Sequence, residues 1–184
     1  MVIVPLLETN RLTLRGLTSE DFERYARMWS EPAVVRFISG SPLSREAAWN
    51  RLLRQVGHWH LFGFGYFAVA DRETGALLGE AGFQDLRRPL SPSIEGTMEA
   101  GWVLATQAHG KGIAEEAMHA CLNWADRTLP ERRMTCIIRP EHAASLHIAK
   151  KLGFEAFSTS DYNGEPIILL ERPRLSESGA QPGK

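Results

Sequence analysis

Cysteine is scarce in this chain of 184 residues, and long apolar runs are missing. The two cysteines, Cys121 and Cys136, stand in apolar periodic segments without a CxxC spacing, which favours buried reduced thiols over a disulfide or a zinc site. No apolar stretch approaches the about 20 residues that a membrane span needs, and the N-terminal segment lacks the basic start and the cleavage site of a signal peptide. We therefore expect a cytoplasmic protein with no membrane partner and no metal.

An excess of one charge is also lacking. The 21 basic and 22 acidic residues are interspersed and give a net charge of −1, so nothing predicts a track for nucleic-acid phosphates. The chain is instead rich in apolar residues, because 43% of it is hydrophobic, which is typical of one soluble globular domain. We expect a single domain over residues 1–172, with no nucleic-acid partner, and a disordered tail over residues 173–184, which are polar and rich in proline, glycine and serine. Monomer and homodimer both remain open.

Apolar periodicity predicts seven strands and four helices. The strands are expected at residues 11–16, 64–71, 75–86, 97–105, 133–139, 154–158 and 165–172. The helices are expected at residues 18–30 and 44–60, from about 112 to 126, and at 141–154, with Thr18 and Ser44 as N-caps. The order β-α-α-β-β-β-α-β-α-β-β predicts a mixed α/β (α+β) fold. Its mixed, mostly antiparallel sheet of about six or seven strands is flanked by about four helices.

The segment 106-TQAHGKGIAEEA-117 joins a predicted strand to a predicted helix through two glycines. A helix that begins at a glycine-rich turn presents unpaired N–H groups and the positive end of its dipole, and both favour an anionic ligand. In a P-loop frame, Ala105 replaces the first glycine and Gly112 replaces the serine or threonine. In a dinucleotide-binding frame, Glu115 replaces the third glycine. The segment therefore matches neither of these two phosphate-binding motifs. The alternative to an anion-binding turn is a glycine-capped turn that binds no ligand.

The pattern Gln107-x-x-Gly110-x-Gly112-x-Ala114 resembles the Q/R-x-x-G-x-G/A loop of the GNAT acetyltransferases. Three further segments resemble the same family, and the first of them is similar to its ribosomal-protein N-terminal acetyltransferase branch. They are 8-ETNRLTLRGLTSEDFE-23, 99-EAGWVL-104 and 139-RPEHAASLHIAKKLGF-154. The resemblance spans roughly residues 8 to 172. It implies the GNAT fold and a metal-free enzyme that transfers acetyl from acetyl-CoA directly to a primary amine.

The resemblance also implies roles for particular residues. Glu99 is expected to act as the general base, directly or through water, with a solvated carboxylate at a strand edge as the alternative. The amides of Trp102, Val103 and Leu104 are expected to hold the pantetheine arm and to polarise the acetyl carbonyl. The turn that cradles the pyrophosphate is expected to comprise Gln107, His109, Gly110, Lys111, Gly112, Ile113 and Ala114.

The chain departs from the family pattern after the last predicted crossover. His142 stands where the family commonly has Asn, although an imidazole can still donate one hydrogen bond to the cofactor arm. Ser145 is a candidate to assist the departing thiol, with a packing role equally open. Residues 139–154 contain no tyrosine to serve as the general acid, and Tyr162 in a predicted turn is expected to be misplaced. These departures leave a non-catalytic acyl-CoA-binding module as the alternative function.

The acceptor amine is not resolved by the sequence. A protein N-terminal amine and a small-molecule amine both fit, because the loops that contact the acceptor vary most among proteins that share a fold.

Overall fold

The computed structural model describes residues 3–173, so the predicted tail lies outside the described residues from position 174 onward. Within this range the chain forms eight strands: β1 (Leu7–Glu8), β2 (Leu12–Arg15), β3 (Tyr66–Asp71), β4 (Leu77–Gln84), β5 (Met98–Leu104), β6 (Met134–Ile138), β7 (Glu155–Tyr162) and β8 (Glu165–Arg172). Five α-helices accompany them: α1 (Phe22–Trp29), α2 (Pro32–Val35), α3 (Arg45–Phe62), α4 (Ile113–Thr128) and α5 (Ala143–Lys151). The predicted order is confirmed, with the short β1 and α2 added.

All eight strands form one sheet in the order β1-β2-β3-β4-β5-β6-β8-β7. Every neighbouring pair is antiparallel except β5 and β6, which are parallel because α4 connects them as a crossover. The mixed, mostly antiparallel sheet predicted from the sequence is therefore confirmed. No helix within residues 3–173 is both long and apolar enough to cross a lipid bilayer.

Helices cover both faces of the sheet. On one face, α1 and α3 pack Tyr25, Trp29 and Leu52 against Ala68 and Val103 of the strands. On the other face, Met118 and Leu122 of α4 pack in a second apolar cluster with strand residues such as Phe67, Phe83 and Met98. Because side chains alternate along a strand, Glu99 lies on the face of Val103, which is the face covered by α1 and α3.

Local sequence sets the starts of the first long helices. Thr18 and Asp21 form the predicted capping box, in which the Thr18 amide donates to the Asp21 carboxylate over 2.9 Å. Ser44 accepts the Ala47 amide through its side chain at 3.1 Å and so caps α3. Both predicted N-caps are confirmed.

The predicted turn at residues 159–164 is wrong. The β7 strand continues to Tyr162, and only Asn163 and Gly164 turn the chain, with φ values of 56° and 79°. Positive φ at both central residues is the geometry of a two-residue hairpin turn. The polar residues of this segment indicated a turn, but β7 is the edge strand of the sheet and most of its side chains are exposed. Polar residues are compatible with such a strand.

The feature that positions the site is a gap between β5 and β6. These strands pair only at Met98 with Met134 and at Glu99 with Thr135. Over the rest of its length β5 pairs only with β4, in a register that runs from Glu99 to Leu104. Among the residues that the structure describes, no strand pairs with the β6-facing edge of β5 beyond Glu99.

Candidate active site

Hydrogen bonds at the two ends of β5 show which of its amides face the gap. The Met98 amide donates toward β6, to the Arg133 carbonyl at 2.8 Å, and the Ala105 amide donates to the Leu78 carbonyl of β4 at 2.9 Å. Because successive amides point to opposite edges of a strand, those of Trp102 and Leu104 face the gap. The Val103 amide faces β4 instead. Of the three predicted amides, Val103 differs from the expectation, and its side chain rather than its amide borders the site.

The glycine-rich turn lies directly after β5. Gly110 and Gly112 have φ values of 71° and 72°, and α4 begins at Ile113, with Gly112 as its N-cap. A Cβ added to Gly110 would meet no atom within 4 Å, so the turn is open on that side. Ile113 and Ala114 are buried, which leaves their backbone amides as the groups available to a ligand. A turn of this kind fits an anionic phosphate group.

Ion pairs and hydrogen bonds hold this turn against the rest of the domain. Arg11 donates to the Lys111 carbonyl at 2.8 Å and to the Glu116 carboxylate at 2.6 Å. Before the turn, the Glu31 carboxylate accepts the Thr106 amide at 3.0 Å. The Lys111 side chain is exposed, whereas its carbonyl is the anchored group. Contacts from the N-terminal part of the chain therefore preorganise the turn.

Two histidines lie beside the gap. His109 donates through Nε2 to the Leu104 carbonyl at 2.8 Å. This is the last carbonyl of β5 that faces the gap, and the imidazole is its hydrogen-bond partner. The His142 ring stacks on Phe37 with 4.4 Å between centroids, and its Nε2 lies 3.3 Å from Ser145 Oγ. Burial and the nearby His109 hold the pKa of His142 below its ordinary value of 6.5. At neutral pH His142 is therefore an uncharged hydrogen-bonding group.

The lowered pKa of His142 predicts a pH-dependent stability. As pH falls through 6.5, the unfolded chain takes up the His142 proton before the folded chain does, so the free energy of unfolding decreases. The decrease ends once pH has passed the folded-state pKa. We expect His142→Asn to show a smaller decrease between pH 7.5 and 5.5, measured by urea unfolding. His58, whose pKa burial also lowers, is present in both proteins, so its contribution cancels. Equal decreases in the two proteins would contradict the prediction.

Glu99 is buried, with 6% of its surface exposed, and forms an ion pair with Arg88. Arg88 Nε donates to Glu99 Oε2 at 2.8 Å and Arg88 Nη2 donates to Oε1 at 3.0 Å. The guanidinium also lies over the Tyr162 ring, 4.6 Å from its centroid. The alternative of a solvated carboxylate at a strand edge is therefore wrong. A two-pronged ion pair fixes the orientation of the carboxylate.

One cavity of about 650 Å³ adjoins the gap. Five of the residues singled out in the sequence line it together: Glu99, Trp102, Val103, His142 and Ser145. The turn at residues 107–114 does not line this cavity and lies beyond the other end of β5. Tyr162 does line it, so the expectation that this tyrosine is misplaced is wrong. That error followed from assigning Tyr162 to a turn rather than to the end of β7.

Tyr66 is a cavity residue that sequence reasoning missed. A Cβ added to Gly101 would lie 1.8 Å from Tyr66 Oη, so the phenol packs directly on the β5 backbone. Only glycine permits this approach. Burial, reinforced by the negative charge of Glu99, raises the pKa of Tyr66, which stays protonated. The phenol is thus a neutral group beside Glu99, and the run 64-FGYFAVAD-71 contained no signal that distinguished it from a core residue.

Arginines of the cavity wall were also missed. Arg51, Arg54, Arg88 and Arg139 all line the cavity, and they come from α3, from the segment after β4 and from the end of β6. Arg51 donates to Glu80 at 2.9 Å, and Glu80 is completely buried and also accepts Tyr25 Oη at 2.8 Å. Helical and loop arginines are usually solvated, so the sequence alone gave no reason to single them out.

Other chemistry-bearing residues have structural roles. His58 donates through Nδ1 to the Phe64 carbonyl at 2.8 Å and accepts the Asp85 amide at Nε2, so both ring nitrogens are occupied. Cys121 and Cys136 are free and buried, as predicted, and burial raises the pKa of both thiols. Within residues 3–173, no three histidine, cysteine or acidic side chains are grouped as metal ligands.

Comparison with known proteins gives the class of this protein. Residues 11–155 match the family model described as an acetyltransferase (GNAT) domain. The class is therefore that of the acetyltransferases. The chain belongs to the GNAT acetyltransferase family, which confirms the fold and the acetyl-CoA-dependent N-acetyltransferase class predicted from the sequence.

Similar proteins agree with this assignment. A protein from Bordetella pertussis described as a GnaT-family acetyltransferase has 32% identity and a TM-score of 0.82, covering 92% of this chain and 99% of its own. YkkB of Bacillus subtilis is 28% identical over 90% of this chain and 94% of its own. The ribosomal protein uS5-alanine N-acetyltransferase of Escherichia coli is 25% identical, covering 81% of this chain and 77% of its own. The last match supports the predicted ribosomal-protein branch.

Proposed function

We propose that this protein transfers acetyl from acetyl-CoA directly to a primary amine in the cytoplasm, with Glu99 as the general base. The observation that carries the proposal is that three features occur along β5 or directly next to it. The β5 edge is unpaired toward β6, a glycine-rich helix start follows its C-terminal end, and Glu99 borders a cavity near its N-terminal end. The acceptor is either a protein N-terminal amine or a small-molecule amine.

The residues present fit the coenzyme. The amides of the turn at residues 107–114 would hold its pyrophosphate, because the helix start offers unpaired N–H groups and a favourable dipole. The gap-facing amides of Trp102 and Leu104 would hold the pantetheine arm in place of a strand. When bound, acetyl-CoA supplies the activated acetyl group for the transfer. His109, held by its Nε2 on the Leu104 carbonyl, borders the same end of β5.

Within the cavity, this chain supplies groups for proton handling. Glu99 accepts a proton from the incoming amine, and Arg88 fixes the carboxylate in orientation. Tyr66 stays protonated beside it, as a neutral hydroxyl. Ser145, which also lines the cavity, hydrogen-bonds His142 at the start of α5 and offers a hydroxyl for the departing sulfur. Positioning of the two reactants supplies much of the remaining rate enhancement.

The experiment that tests the function is thiol release from acetyl-CoA in the presence of an amine panel. The panel contains free amino acids, polyamines, aminoglycosides and N-terminal peptides. Release that depends on the amine supports the proposal, and mass spectrometry of the product identifies the acetylated nitrogen. Tight binding of coenzyme A without release by any amine would support the non-catalytic acyl-CoA-binding module instead.

We expect Gly110→Ala to weaken coenzyme A binding at least about tenfold, because a methyl group in the turn blocks close approach of a phosphate to the amides. The Cβ itself meets no protein atom, so the cost to stability is only that of the left-handed backbone, roughly 1–2 kcal/mol. Calorimetric titration with coenzyme A measures the change. Gly96→Ala is the matched control, since Gly96 has a φ of 77° and equally open surroundings before the start of β5. Equal affinities of the two variants for coenzyme A would show that the turn does not bind the coenzyme.

A further inference from the structure

The cavity wall on the Glu99 side contains more positive than negative charge. Of the four arginines that line the cavity, three have a carboxylate partner. Arg51 pairs with Glu80 at 2.9 Å, Arg88 pairs with Glu99 at 2.8 Å, and Arg139 lies 3.4 Å from Glu165. The fourth, Arg54, makes no ion pair and no hydrogen bond with any residue in the described range 3–173. One guanidinium at the cavity wall therefore has no direct carboxylate partner within residues 3–173.

Arg54 lies on the same side of the sheet as Glu99. It is three residues from Arg51 on α3, so the two guanidinium groups lie on one face of the helix. That helix covers the sheet face on which Glu99 and Glu80 lie, which is opposite to the face covered by α4. The glycine turn that opens α4 is thus a separate anion site, and the charge of Arg54 is available to another ligand.

Arg54 is exposed to the cavity, and its surroundings disfavour its charge. Partial desolvation and the neighbouring Arg51 lower the pKa of Arg54, whereas the charge of Glu80 acts in the opposite direction. Glu80 is already occupied by Arg51 and Tyr25, and therefore does not serve as a partner for Arg54. An anionic group placed against Arg54 would relieve the repulsion between the two arginines and would face a guanidinium suited to paired hydrogen bonds.

We propose that the acceptor amine carries a carboxylate, which Arg54 binds with support from Arg51 while the amine lies at Glu99. This inference rests on the proposed function and narrows its acceptor to molecules with a positive and a negative end. Two sources offer that chemistry, a free amino acid and a peptide N-terminus followed by an acidic residue. Binding of the carboxylate at Arg54 fixes the position of the acceptor in the cavity, so that only one of its nitrogens lies at Glu99.

The test uses matched pairs of acceptors with the full-length protein. The first pair is 4-aminobutyrate and 4-aminobutyramide, which differ only in the charge of the far end. The second pair is the peptide amides Ser-Glu-Ala and Ser-Gln-Ala, which distinguish a peptide source from a free amino acid. We expect kcat/KM to be about 10- to 100-fold higher for the carboxylate member of at least one pair, as a charged hydrogen bond predicts.

Variants assign the preference to Arg54. Arg54→Gln is expected to remove the preference by lowering kcat/KM for the carboxylate member and leaving the amide member within about twofold. Arg24→Gln is the matched control, because Arg24 is exposed on α1 and does not line the cavity. No preference in either pair, or equal losses for both members of a pair, would overturn the inference.

The outcomes separate this inference from the function on which it rests. Acetylation of neutral amines with no advantage for a carboxylate overturns the anion site and leaves the acetyltransferase function intact. No acetylation of any amine, with coenzyme A bound, overturns both.

Discussion

Glu99→Gln is expected to lower kcat by about 10²–10⁴-fold, the range over which a positioned general base contributes. The glutamine keeps the shape of the side chain and can still accept one hydrogen bond from Arg88, but it cannot take a proton from the amine. Affinity for coenzyme A should be unchanged, because the glycine turn lies beyond the far end of β5. Initial rates of thiol release and calorimetric titration with coenzyme A measure the two quantities.

The pH dependence distinguishes a base from a residue that only supports the cavity. A general base acts only in its deprotonated form, so kcat/KM of the wild-type protein should fall at acidic pH, and the variant should lack that acidic limb. Glu95→Gln is the matched control, since Glu95 is exposed in the loop before β5. An acidic limb that persists in Glu99→Gln would assign the base to another group. Urea unfolding of the variant verifies that the loss of the ion pair with Arg88 has not unfolded the domain.

Glu80→Leu is expected to destabilise the domain by about 3–5 kcal/mol, because it leaves Arg51 as a charge without its carboxylate. Glu80 is completely buried and accepts hydrogen bonds from Tyr25 and Arg51. The Arg51 guanidinium lies 3.9 Å from the Trp29 ring centroid, and only 18% of its side-chain surface is exposed, so water replaces the lost carboxylate only in part. The free energy of unfolding in urea measures the loss.

A double variant tests whether the unpaired charge is the cause. Glu80→Leu combined with Arg51→Met should recover most of the lost stability, since replacing both members of a buried pair by apolar groups is often neutral. The exposed pair of Glu23 and Arg45 provides the comparison, and Glu23→Ala should have no measurable effect. A double variant as unstable as the single one would show that packing around Glu80, rather than charge, dominates.

Much of the fold is legible in short segments of the sequence. The helix caps at Thr18, Asp21 and Ser44 depend on contacts between residues three positions apart, so they can be predicted from the neighbouring sequence. The prediction failed at residues 159–164 because an exposed edge strand and a turn share the same polar composition. Distinguishing them requires knowing that β7 lies at the end of the sheet, which depends on the pairing of β6 with β8.

The candidate site also has one part that the sequence predicts and one part that only the structure shows. The turn from Gln107 to Ala114 is one contiguous segment, and its residue pattern by itself indicates an anion-binding helix start. The partners of Glu99 are not contiguous with it. Arg88 is 11 residues away and Tyr162 approaches from the β7 hairpin, so no spacing rule could have linked them. Tyr66 of β3 reaches Gly101 of β5 across one intervening strand, β4.

The amino-acid sequence by itself determined the family, the order of strands and helices, and the glycine turn, because each depends on periodicity or on a few adjacent residues. Only the tertiary structure decided that Glu99 is clamped by Arg88, that Tyr66 and Tyr162 reach the same cavity, and that Arg54 has no partner within residues 3–173. The physical reason is that burial and charge pairing depend on which distant segments the sheet brings together, and side chains far apart in the chain then set one another's environment.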